Sequence, residues 1–360
     1  MNKSIYSVIT GTGSYIPTQR IQNKDFLNSE FYESDGKKIE KSNEEIIQKF
    51  SEITTITERL YVTDDLVTSD IAFFAAEKAI HSAGVNKEEI DYIIVAQNFG
   101  DIKAGTNRTD IVPTLAARVK KKLQISNPYC IAYDLPFGCP GWLQGIIQAD
   151  YYIRSGDAKK ILVIGAEVLS RVSDPHDRDS MIYADGAGAT MIEATESETP
   201  TGVIGHKTRS DAIDHADMLV MGKSYNPNYP RPEDIFLKMN GRKLYQYALE
   251  NVPAAIQACL EKSNTHLKDV KKVLIHQANG KMDEAILKRL SRLYNIKNTP
   301  EITMPMTISW LGNSSVATIP TLLDLILKDE MKAHEINKGD NIVFASVGAG
   351  MNINTLLYKM

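Results

Sequence analysis

The chain is short of the residues that mark several protein classes. Its 360 residues include three cysteines and no CxxC pair, which leaves no disulfide framework and points to a reducing compartment. No apolar run approaches the ~18 residues of a membrane span. The N-terminal MNKSIYSVITGTGSYIP is broken by Ser, Thr and Gly, so it does not read as a secretory h-region. Charge of one sign is not in excess: 41 Lys and Arg stand against 45 Asp and Glu, a net −4. That balance argues against an electrostatic hold on nucleic acid or anionic lipid. The expectation is a soluble, cytoplasmic protein with no membrane insertion. The length is ample for one large domain or two ordinary ones with a full core.

What is present is alternation. Short apolar stretches, DYIIVAQ, KKILVIGAE, KKVLIHQ and DNIVFASVG, separate segments of helical period, the pattern of layered α/β architecture. There is also an internal echo. GVNKEEIDYIIVAQNFG ends at Gly100 and THLKDVKKVLIHQANG at Gly280, each running from a helix end through a buried strand to Gln-x-x-Gly. Later in each half a Gly-rich strand end follows, SGDAKKILVIGAE and INKGDNIVFASVGAG. Two duplicated halves, 1–195 and 196–360, would bring corresponding strand ends around one crevice, where α/β folds bind ligands. Cys139 and Asn313 would then each open the long helix of its half. Segment 28–49 reads as a surface insertion leading into a helix, segment 219–240 as a loop, and VKKKLQ (119–124) as a solvated face.

Chemistry concentrates in three places. In AYDLPFGCPGWLQGIIQADYY, Cys139 lies between Gly138 and Pro140, after a strand and before a helix whose first turn suits Pro140. A helix N-terminus favours thiolate over thiol. A nucleophile and a buried cysteine acting as a small hydrophobe are both consistent with this stretch. His276, in VLIHQANGKM, directly follows apolar strand residues. Asn313, between Gly312 and Ser314, is a nucleophile's mirror image or a helix N-cap. Together they suit acyl transfer: a thiolate takes the acyl group, and an imidazole and an amide donate to a thioester oxygen gaining charge. The turn in SVGAG offers backbone N–H groups for an oxyanion hole with the amide of Cys139. His206 and His215 lack a third ligand at metal spacing, so no metal is expected. GTGSYIP lacks the third glycine and the acidic residue of a dinucleotide fingerprint. A non-catalytic scaffold is the reading that the intact Cys–His–Asn set opposes.

ITGTGSYIP, FGCPGW, LVIGAEVLSRVSDPHDRDSMIYADGAGA (162–189), KMNGRKLYQYALENV (238–252), HQANGKM, GNSSVATIP and the terminal SVGAG occur in that order. On these motifs the chain resembles β-ketoacyl-acyl carrier protein synthase III, a family of thiolase-fold condensing enzymes, over nearly its whole length. The resemblance implies an α/β, thiolase-like fold of two duplicated βαβ-rich halves in five layers, α-β-α-β-α, and a homodimer. It implies that Cys139 takes an acyl group from a primer thioester, usually an acyl-CoA. His276 and Asn313 then bind a malonyl thioester and stabilise the enolate left by decarboxylation. It further implies an oxyanion hole from the amides of Cys139 and Ala349, coenzyme A contacts at Arg178 and Asn279, and no tightly bound cofactor. Lys281, Lys288 and Arg289 would face acyl carrier protein, with Lys281 where an arginine is usual.

Other relatives fit less well. A degradative thiolase has a second cysteine in a C-x-G-x-G turn that here reads Ser346-Val347-Gly348-Ala349-Gly350, and the G-F-G-P-G turn of plant-type polyketide synthases is absent. Within the resembled family two departures stand out. Ile53-Thr54-Thr55-Ile56 replaces R-T-G-I with no tryptophan before it, which weakens the adenine clamp and leaves room for a carrier-bound primer. Val112 stands before Pro113, where a pocket-blocking aromatic from the partner subunit is usual, so a primer longer than acetyl is expected. A relative making a specialised lipid, pigment or polyketide is the alternative reading.

Overall fold

The computed structural model describes residues 3–297 and 304–360. Nine strands form its two main sheets: β1 Ser4–Tyr15, β2 Tyr92–Ala96, β3 Ile131–Leu135, β4 Lys160–Val168, β5 Asp185–Ser197, β6 Gly202–Ser210, β7 Val270–Ile275, β8 Asn341–Gly348 and β9 Asn352–Lys359. Seven longer helices accompany them: α1 Asn43–Thr54, α2 Thr68–Ala83, α3 Leu115–Lys122, α4 Gly141–Ser155, α5 Gly241–Lys262, α6 Gly280–Leu293 and α7 Thr318–Leu327.

The first sheet has the order β1-β5-β4-β2-β3 and the second β6-β9-β8-β7. Both run antiparallel, antiparallel, then parallel along this order. The echo read from the sequence is therefore a repeated topology, with β2 matching β7 and β4 matching β8. The sequence of β4, KILVIGAEV, is apolar almost throughout, and all but its first residue are buried, as expected of a strand covered on both faces.

Three apolar clusters fill the spaces between five layers. One packs α2 and α3 on the outer face of the first sheet, through Ala72, Ala76, Leu115 and Val119. A second packs α5 and α6 on the outer face of the other sheet, through Val252, Ile256, Ile286 and Leu290. The third lies between the sheets, where Trp142 and Ile146 of α4 and Leu322 and Leu323 of α7 meet residues of both. Buried carboxylates pin these central helices to β1: Asp150 of α4 accepts from Ser7 Oγ at 2.8 Å, and Asp324 of α7 from Ser14 Oγ at 2.6 Å. This is the expected five-layered arrangement. The segment between the sheets, 198–201, is a short turn between β5 and β6.

Two local expectations change. Segment 219–240 is a two-stranded hairpin rather than a loop, with Leu219–Gly222 pairing antiparallel with Phe236–Met239. Only its middle, which holds SYNPNYPRP, is irregular, and Phe236 is buried. Pro140 is the N-cap of α4 and not a first-turn residue, with φ −71° and ψ 0°.

Candidate active site

The site forms where the strands of both sheets release their carboxyl ends. Gln97 and Asn98 follow β2, Cys139 lies in the turn after β3, and Glu167 sits near the end of β4. From the other half, His276 follows β7 directly and Ala349 follows β8. The chain reaches Cys139 through Gly138, whose φ of +66° is left-handed and suits glycine. A Cβ on Gly138 would lie 2.9 Å from the Ala349 nitrogen, and one on Gly348 would lie 2.6 Å from the Cys139 nitrogen. The two turns thus meet backbone to backbone.

Asn313 stands before the second central helix but does not cap it, since a 3-10 turn, Ser315–Ala317, intervenes before α7. The backbone of Asn313 is clipped to the first half: its N–H donates to the Ile182 carbonyl at 3.0 Å, and its carbonyl accepts from the Ala184 N–H at 2.8 Å. The Asn313 Oδ1 accepts from the Ser315 N–H at 2.8 Å. That bond fixes the amide so that Nδ2 is the end free to donate.

Ser315 links all three predicted residues. Its hydroxyl donates to Cys139 Sγ at 3.3 Å, its N–H holds Asn313, and its backbone hydrogen-bonds His276. His276 is buried, and burial pushes its imidazole down to about 4, with the Ser315 bond opposing. The ring is neutral at pH 7. For Cys139, burial pushes the thiol up from its ordinary value, opposed by Ser315 and by its own backbone N–H. The helix terminus alone suggested a thiolate. Desolvation acts on the full charge of the sulfur, whereas the terminus offers only partial charges. Cys130 and Cys259 are buried, and Cys139 alone among the three is partly exposed.

A cavity of about 1120 Å³ leads to Asn313 from a rim that includes Tyr32, Lys41 and Arg178, passing Ile182 and Asn279. Arg178 is half-exposed and pairs with Glu33 at 3.1 Å. The Asn279 side chain caps α6, accepting from the Met282 N–H at 3.1 Å. Lys281, Lys288 and Arg289 lie exposed on α6 beyond it. Neither tryptophan lines the cavity: Trp142 is in the core, and Trp310 sits on the short helix Ile308–Leu311. Val112 is not in the cavity of its own chain; it is 82% exposed on the loop entering α3. His206 and His215 pack on Tyr151 and Tyr247 respectively. Among the described residues no group of three metal-ligating side chains comes together, and no helix is long and apolar enough to cross a membrane.

Sequence reasoning missed Ser315, Asn98 and Glu167. Two serines before a helix look like caps, and Asn98 looks like turn chemistry. Glu167 did carry a signal, an acid inside an otherwise apolar strand.

Residues 133–212 match the family model for 3-oxoacyl-[acyl-carrier-protein] synthase III, and residues 260–360 match the model for its C-terminal part. The β-ketoacyl-[acyl-carrier-protein] synthase III 1 of Vibrio parahaemolyticus is 32% identical, over 99% of this chain and all of its own length. The synthase III of Xanthomonas campestris is 31% identical over the full length of both. Among solved structures, the 3-oxoacyl-[acyl-carrier-protein] synthase III of Aquifex aeolicus superposes with a TM-score of 0.78 at 26% identity, covering 98% of this chain and 100% of its own. Shared from end to end with such relatives, the sequence and the fold place this chain in the β-ketoacyl-acyl carrier protein synthase III family.

Proposed function

We propose that Cys139 takes an acyl primer from its thioester, and that the primer is then condensed with a malonyl thioester on acyl carrier protein to give a 3-oxoacyl thioester. The observation that carries this reading is the 313–315 loop, which touches Cys139 and His276 and presents Asn313 to the cavity. In the first step Sγ attacks the primer carbonyl, the primer's own C–S bond breaks, and its carrier leaves as a thiol with the cysteine proton. In the second, the malonyl carboxylate leaves as carbon dioxide, and its electron pair becomes an enolate. The neutral His276 ring has a single N–H, which leaves the Ser315 carbonyl and joins Asn313 Nδ2 in donating to the enolate oxygen. The enolate carbon attacks the acyl-cysteine carbonyl, whose oxygen rests on the amides of Cys139 and Ala349, and the C–S bond breaks to free the sulfur.

The cavity suits a pantetheine arm entering from the rim, as pockets of this order hold extended small ligands. Primer arrives as a coenzyme A thioester or on a carrier. Arg178 reaches coenzyme A by giving up an exposed pair with Glu33, a pair of the kind worth little in water. Asn279 contacts the arm through the amide end that does not cap α6. The exposed Lys281, Lys288 and Arg289 receive the acidic carrier, steering its approach. No resident cofactor is required, and the chain works in the cytoplasm.

Incubation with mixed acyl-CoA primers and malonyl-acyl carrier protein, followed by mass mapping, tests the reading. An acyl mass on Cys139 and a 3-oxoacyl product are expected, with primers longer than acetyl preferred. Product formed while Cys139 stays unmodified would overturn it.

An exposed edge supports a homodimer. Among the described residues strand β3 pairs only with β2, and Ile131 on it is 49% exposed beside Tyr129 at 84%. Such an edge is a template for pairing with a second copy. The loop holding Val112 leads into α3, whose first amides bind Asp134 of β3, so Val112 would reach toward the partner's primer pocket. Light scattering after gel filtration is expected to give twice the chain mass; a monomer at micromolar concentration would remove this part of the proposal.

A further inference from the structure

We propose that Ser315 is a further catalytic residue, its hydroxyl donating to the Cys139 sulfur while the acyl group is taken up and released. Asn98 and Glu167 are positioning residues that hold this hydroxyl and the Gly138–Cys139 turn. The proposal rests on the reading that Cys139 is the acylated residue.

The direction of each hydrogen bond follows from chemistry rather than from assumed proton positions. Asn98 Oδ1 accepts from the Gly138 N–H at 2.8 Å. Its other amide end, Nδ2, can then only donate, and it lies 2.6 Å from Glu167 Oε2 and 3.3 Å from Ser315 Oγ. A hydroxyl has one donor and two acceptor sites. With Asn98 donating to the oxygen, the single Ser315 proton is left for Cys139 Sγ at 3.3 Å. Glu167 Oε2 also accepts from the Asn98 backbone N–H at 3.1 Å, so Asn98 is held from both ends.

Two further observations mark the cluster as built. Ser315 has φ +52°, a left-handed conformation that non-glycine residues rarely adopt and that clusters at functional sites. Glu167 is fully buried, and its Oε1 has no protein partner among the described residues. Burial pushes its carboxyl up to about 8, with Asn98 opposing and the neighbouring Cys139 adding to the shift. It is therefore mostly uncharged at pH 7 and sets no full negative charge beside the sulfur. The other ionisable groups around this cluster are Asp185, near Glu167, Tyr183, near Cys139, and His276, on the Ser315 backbone. A hydroxyl fixed in a dry site stabilises a developing thiolate without reorganising at the moment of reaction.

The test is the pH profile of Cys139 alkylation by iodoacetamide in the full-length protein, read by mass at each cysteine. In S315A the midpoint is expected to rise by about one pH unit, since a hydrogen bond to the charged form is lost. Labelling at pH 7 would then slow by roughly tenfold. S315G, which suits the left-handed backbone, should show the same shift and decides the matter if the alanine variant folds poorly. N98A and E167A should shift the profile in the same sense, and E167Q, whose amide oxygen still accepts from Asn98, should restore it relative to E167A. A wild-type midpoint in both S315A and S315G overturns the proposal. Failure of the wild-type protein to label at Cys139 would instead overturn the nucleophile reading beneath it.

Discussion

Replacing Cys139 by alanine is expected to cut primer transfer and condensation by ~10,000-fold or more, since no other group can carry the acyl chain. Malonyl decarboxylation should persist, because the groups that receive the enolate oxygen come from the other half of the chain. The split is measurable by following labelled carbon dioxide and 3-oxoacyl product in parallel. Cys130 and Cys259 are buried at 2% and 0% exposure, and for each burial pushes the thiol up, so neither offers a substitute. Loss of both half-reactions in a folded C139A protein would mean that the sulfur and the enolate site are not separate functions.

His276→Ala should give the reverse pattern. Decarboxylation is expected to fall roughly 100- to 1,000-fold, the usual cost of one donor aimed at a developing oxyanion, while acyl-Cys139 still forms and accumulates. Intact-protein mass spectrometry would show the acyl adduct persisting in the presence of malonyl-acyl carrier protein. The pH dependence follows from the imidazole, pushed down by burial to about 4 from an ordinary 6.5. Between those values the unfolded chain binds a proton that the folded chain does not, so His276 lowers stability as pH falls from 6.5 toward 4 and is without effect above that window. Urea titrations should show wild type losing stability over that range relative to H276A. Condensation itself should show no loss centred near pH 6.5 from this residue, because the ring stays neutral.

The three candidate side chains could be singled out in the sequence, and the fold sets Ser315 against all of them. Cys139, His276 and Asn313 are reactive or donating residues set against Gly, Pro or apolar strand ends, so their exposure at the edge of a sheet could be inferred from neighbours. The repeated halves were legible too, since β2 and β7 carry the same Gln-x-x-Gly ending. Less visible was everything that depends on a fold bringing distant residues together. The serine that touches Cys139 lies 176 positions away, and nothing local distinguishes Ser315 from Ser314. The sulfur's burial is likewise invisible from its neighbours in sequence, and in the finished pocket it outweighs the helix terminus. Pro140 misled by one position because a cap and a first turn accept the same residue. In the 219–240 segment the Pro-rich middle masked two short paired strands at its ends.

Backbone rather than side chain separates the two halves at the seam beside Cys139. Main chain is a stiff spacer, unable to swing through rotamers, so the distance between Cys139 and the Gly348–Ala349 turn is one fixed length. Diversification must then be sought where atoms can still be exchanged without moving that seam, at the rim and on the loop bearing Val112. An enzyme constructed this way would keep a single bond-forming step while changing what it accepts as its first building block.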